Sequence, residues 1–114
     1  MLCIACYDLY RKAEQGMRTK TDEKILEILQ ETMTDTISPY QYSIEHHQEE
    51  SICINSKNGQ WIVSLFERGA DHCIAQFDNC FEACKIFLFH ALPGERWFAK
   101  RQEFAERVQQ EGLI

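Results

Sequence analysis

The hydrophobic period changes once, between Gln60 and Leu92, and no other feature of this 114-residue chain constrains its fold as much. Apolar residues run through Trp61-Ile62-Val63-Ser64-Leu65-Phe66 and return at Cys73, Ile74, Ala75 and Phe77. From Cys80 onward the spacing is helical, through Phe81, Cys84, Ile86, Phe87, Leu88 and Ala91. Strand residues alternate faces and helix residues recur every three or four, so the pattern predicts strand, turn, strand, helix. Arg68-Gly69-Ala70-Asp71 marks the turn, with Gly69 supplying a backbone conformation closed to most residues. Asn79 followed by Glu82 reads as a loose capping box, and Pro93-Gly94 ends the helix. Trp61, Val63 and Leu65 point to one face of their strand, and Ile62 and Phe66 to the other. Both sets are apolar, so this strand is expected to be covered in part on both sides.

The rest of the chain adds to that ββα unit. Ser51-Ile52-Cys53-Ile54-Asn55 reads as a strand, and Asn58-Gly59 is the strongest short hairpin signal, because a type I′ turn needs positive φ at both central residues. Tyr40 to Ile44 alternates as a short edge strand, and Glu45 to Glu50 reads as a polar loop. Upstream, Thr21-Asp22-Glu23 supplies a cap oxygen and first-turn acid, and Ile25, Leu26, Ile28, Leu29 and Met33 form one apolar stripe. Thr34-Asp35-Thr36 and Ser38-Pro39 end that helix. Leu2, Ala5, Leu9 and Ala13 predict an earlier helix ending near Gly16. Glu95 to Glu111 predicts a last helix with Trp97, Phe98, Phe104, Ala105 and Val108 inward, closed by Gly112. The expected fold is one α+β domain over residues 1–114, its core unit at about 51–92. Two N-terminal helices precede a three- or four-stranded antiparallel meander, and two C-terminal helices pack on the sheet.

Charge narrows the possible partners. The net charge is −6, and residues 21–50 alone set eight carboxylates against Lys24. Affinity for phosphate backbones comes from Lys and Arg, so no nucleic-acid partner is expected; a basic partner is. No apolar run approaches the ~18 residues that would span a bilayer, and the first apolar stretch precedes its charges rather than following them, so a cytosolic protein without a membrane partner is expected. The six cysteines fall largely within apolar runs, where free Cys behaves as a small hydrophobe.

Several constellations carry possible chemistry. Cys3-x-x-Cys6 has zinc-ligand spacing, and Cys80 and Cys84 share a helix face, so together they offer four ligands; inert thiols are the competing reading. His46-His47 beside Glu49-Glu50 resembles a metal loop, yet adjacent residues on an extended chain diverge, which favours a solvated loop. Cys80, at a helix start, is the best-placed nucleophile, but no base stands beside it in the pattern. Neither a catalytic residue nor a cofactor is expected.

Trp61-Ile-Val-Ser-Leu-Phe-Glu-Arg-Gly69, the strand ending at Phe77-Asp78, and Glu82-Ala-Cys-Lys-x-Phe-Leu88 resemble small bacterial immunity proteins. Such proteins accompany polymorphic toxins, including those of contact-dependent growth inhibition. The resemblance covers about residues 42–92. It implies a non-enzymatic cytosolic protein that binds a cognate toxin domain, often a nuclease, and blocks its active site or its access to a target. The expected contacts are the acidic residues Glu45, Glu49 and Glu50 with the hairpin-tip residues Arg68 and Asp71, then Glu27 and Glu31. The alternatives are a zinc- or thiol-dependent protein using Cys3, Cys6, Cys80 and Cys84, or an adaptor.

Overall fold

In the computed structural model, residues 19–114 are described. The helix expected within the first twenty residues, with Cys3 and Cys6, lies outside them. Helix α1 (Lys20–Thr34) leads into strands β1 (Tyr42–Ile44), β2 (Ser51–Lys57), β3 (Gln60–Glu67) and β4 (Ala70–Phe77). Helix α2 (Cys80–Ala91), a 3-10 turn (Glu95–Trp97) and helix α3 (Phe98–Gln110) follow. The class is α+β, as the periodicities predict.

The helix ends show why these residues form helices. The cap of α1 is Thr19, two residues before the expected Thr21. Thr19 Oγ1 accepts the Asp22 N–H at 3.0 Å, and Asp22 Oδ2 accepts the Thr19 N–H at 3.2 Å. The reciprocal box satisfies two amides that the helix itself cannot. At α2, Asn79 Oδ1 accepts the Glu82 N–H at 3.0 Å, while the Glu82 carboxylate pairs outward with Lys85 at 3.1 Å. At the end of α3, Gly112 takes φ +69° and donates its N–H to the Gln109 carbonyl. Leu113 donates to the Val108 carbonyl, completing a Schellman closure.

The sheet order is β1-β2-β3-β4. Both hairpins, β2–β3 and β3–β4, are antiparallel and turn on two left-handed residues, Asn58-Gly59 and Arg68-Gly69. In each, a type I′ turn matches the twist of its strands. Strand β1 departs from the all-antiparallel meander: it pairs parallel with β2, Tyr42 beside Ile52 and Ile44 beside Ile54. Parallel neighbours are normally joined by a crossover of a dozen or more residues. Here the six residues from Glu45 to Glu50 alone carry the chain back to the level at which β1 begins, with left-handed backbone at Glu45 (φ +68°) and Glu50 (φ +57°).

Helix α2 lies on β2, β3 and β4, while α1 and α3 pack against α2 and each other. Ile54, Trp61 and Val63 from the sheet meet Phe87 and Leu88 of α2, Leu29 and Met33 of α1, and Phe104 and Val108 of α3. Phe98, expected inward, is 60% exposed, and Trp97 is half-buried in the 3-10 turn. The shift to 3-10 geometry before Phe98 rotates the start of α3 relative to the uniform helix that the periodicity assumed.

Candidate functional site

The tight return from β1 to β2 carries the loop across the sheet face that the helices leave bare. Its carboxylate Glu49 reaches the β3–β4 hairpin, where Arg68 N–H donates to Oε1 and Gly69 N–H donates to Oε2 at 3.3 Å. Two successive left-handed residues point their amides into one concavity, a nest suited to an anion. His47 lies on Phe66, ring centroids 5.0 Å apart, with Nε2 3.5 Å from Asp71 Oδ2. Asp71 Oδ1 accepts the Ser64 hydroxyl at 2.6 Å. Beneath the loop Cys53 and Ser64 are fully buried, and burial, partly offset by the Gln48 backbone, pushes the Cys53 thiol above its usual range.

Two of the expected surfaces therefore become one. Glu45, at the start of the loop, lines a groove of ≈ 610 Å³ with Glu23 and Glu27 of α1. Glu49, near its end, sits on the tip formed by Arg68 and Asp71. Lys20 and Lys24 also line the groove, so its carboxylates are interleaved with ammonium groups. Glu31 stands apart, its carboxylate 2.6 Å from Arg107 of α3, whose guanidinium it holds above the usual range. Glu49 and Asp71 are likewise engaged within the chain, whereas Glu50 and the Arg68 side chain face solvent.

Chemically, Ser64, Asp71 and His47 do not form a nucleophile relay. The carboxylate stands between hydroxyl and imidazole, so the imidazole has no line to the hydroxyl proton, and Ser64 is buried. Cys80 and Cys84 lie in the core with their Sγ atoms 3.9 Å apart. Burial, and then the neighbouring Cys80, drives the Cys84 thiol well above its usual range. Among the described residues no three His, Cys, Asp or Glu side chains converge on a point that would hold a metal ion. No described helix is long and apolar enough to cross a membrane.

Sequence reasoning missed His47, Ser64 and Phe66 as members of the cluster. The apolar second face of its strand, Ile62 with Phe66, predicts a cover, but nothing in the sequence names the His47 loop as that cover. Compared with known protein families, with curated proteins and with solved structures, the chain matches none.

Proposed function

We propose that the chain is a non-enzymatic binding protein of the immunity type, which occludes a cognate toxin domain, most simply a nuclease, in the cytosol. The contact surface is the strip from the α1 groove across the Glu45–Glu50 loop to the Arg68–Asp71 tip. One observation carries this reading. Of the four non-glycine residues with left-handed backbone among the described residues, Glu45, Glu50 and Arg68 all lie on this strip. A side chain at positive φ costs about 1–2 kcal/mol relative to the right-handed region. Strain of that kind, held where glycine would fit better, concentrates at functional sites. The charge supports the same reading: every carboxylate between residues 23 and 50 is exposed, and the basic surface that a nuclease offers to phosphates is complementary to it.

The test is whether a toxin domain is encoded beside this gene, whether it co-purifies with this chain, and whether the chain protects cells that express that domain. Glu27→Lys, Glu45→Lys and Glu50→Lys should each slow association and flatten its salt dependence. Glu31→Lys breaks the ion pair with Arg107, off the strip, and serves as the contrast. The reading fails if the first three variants bind and protect as the parent does.

A further inference from the structure

Strand β4 is where the sheet stops. At the other margin β1 is only three residues long, too short to recruit another strand. Strand β4 runs for eight residues, and among the described residues nothing pairs with its outer edge. Natural edges are blunted by lysine, proline, inward charge or a bulge. The segment Ala70–Phe77 contains neither lysine nor proline, and Cys73 and Ile74 at its middle are exposed. It does hold a bulge, since Ala75 lies beside Val63 but Cys73 beside Ser64.

Charge selects the partner. The chain carries net −6, yet residues 72–77 contain no Asp, Glu, Lys or Arg. A basic partner is drawn to the acidic strip; two equally acidic copies meet with least repulsion along an uncharged one. We propose that β4 pairs antiparallel with β4 of a second copy of this chain across a two-fold axis, making one continuous sheet. This goes beyond the toxin-binding reading and does not depend on it.

The bulge fits the pairing. Full overlap places Asp71 opposite Gln76, His72 opposite Ala75 and Cys73 opposite Ile74. A two-fold axis normal to the sheet requires opposed residues to share a face. Asp71, Cys73 and Gln76 lie opposite Phe66, Ser64 and Ile62, all on the face away from the helices, while His72 and Ala75 lie opposite Leu65 and Val63. Without the extra residue, Asp71 and Gln76 would fall on opposite faces. With it, the Asp71–Gln76 and His72–Ala75 pairs each share a face, and no like charges oppose.

Sedimentation equilibrium of the intact chain over a concentration series, under reducing conditions, tests this. A reversible dimer is expected. Gln76→Lys sets an ammonium against Asp71 twice and should tighten the dimer about threefold to tenfold, and Gln76→Asp should weaken it by a similar factor. Gln110→Lys changes net charge equally, far from β4, and should leave the constant unchanged. Ile74→Lys should give monomers with an unaltered circular dichroism spectrum and a melting midpoint that, unlike the parent's, does not depend on protein concentration. A parent that stays monomeric throughout, or a dimer on which the two Gln76 changes act alike, overturns the proposal.

Discussion

The two faces of the sheet are closed by different means. Against the helices, Ile54, Trp61 and Val63 are buried by continuous apolar contact with Phe87, Leu88 and their neighbours. On the other face, Cys53 and Ser64 are buried just as fully, but under a loop held by directional contacts: a carboxylate on two amides and an imidazole on a ring and a carboxylate. Burial of apolar area, at roughly 25 cal/mol per Å², accumulates with every methylene and resists local opening. A few hydrogen bonds at an exposed margin net only about 1 kcal/mol each and can open as a unit. Equal burial thus conceals unequal local stability. A binding surface is expected on the face that opens more readily, where the strained Glu45 and Glu50 sit.

The largest effect should follow from the helix face. Phe87→Ala is expected to cost about 3–5 kcal/mol, read from denaturant midpoints, because the site is fully buried between elements that cannot collapse together. A loss below about 1 kcal/mol would show that this face is not the rigid one. Next comes alkaline pH. The folded Cys84 thiol is held well above its ordinary value of 9.0. Above that value the unfolded chain releases a proton that the native state keeps, so the unfolded state binds fewer protons and stability falls as pH rises. One such thiol contributes a slope of about 1.4 kcal/mol per pH unit. Cys84→Ala should flatten the profile, and an unchanged slope would remove Cys84 as its source.

The loop face should answer more weakly and more locally. Glu49→Ala is expected to cost about 1 kcal/mol globally, while amide exchange at Arg68 and Gly69 accelerates markedly. Unchanged exchange at those two amides would mean that the carboxylate does not hold the tip. Alkylation mapped by mass spectrometry sharpens the contrast: among the cysteines of the described residues, exposed Cys73 should react before Cys53 beneath the loop, and Cys53 before Cys84. Were Cys84 modified before Cys53, the ranking of the two faces would be inverted. The smallest effect is a gain. Glu50→Gly relieves a left-handed side chain at some cost in chain entropy, for a net rise of about 0.5 kcal/mol. The same change should weaken toxin binding if Glu50 is a contact, which separates strain from recognition.

Much of the helix face is legible in the chain because its signals are local. The stripe Ile25 to Met33, the period change at Cys80 and the Asn58-Gly59 turn each act within a few residues, and each element formed where they fall. The loop face is legible only in part. Glu45, Glu49 and Glu50 stand out by charge, but nothing near Glu49 shows that its carboxylate belongs to a turn nineteen residues later. His47 looks like any polar loop residue until Phe66 and Asp71 are brought beneath it. The exposed Phe98 escaped for a similar reason, since periodicity assumes one uniform helix and the chain begins this one with a 3-10 turn.

By itself, then, the sequence determined the unit from Gln60 to Leu92, its turns, the Asn79 cap, and most of the residues that form the apolar core, though not the exposure of Ile74 and Phe98. These follow from side-chain periodicity and backbone sterics, which act over one or two turns of chain. Tertiary structure alone decided that β1 runs parallel to β2, that the loop between them closes the second face, and that Glu31 is drawn away to Arg107 while Glu45 joins Glu27. Strand direction and charge pairing depend on which distant segments meet, and a hydrophobic pattern specifies only the face a residue prefers, not the neighbour it will find there.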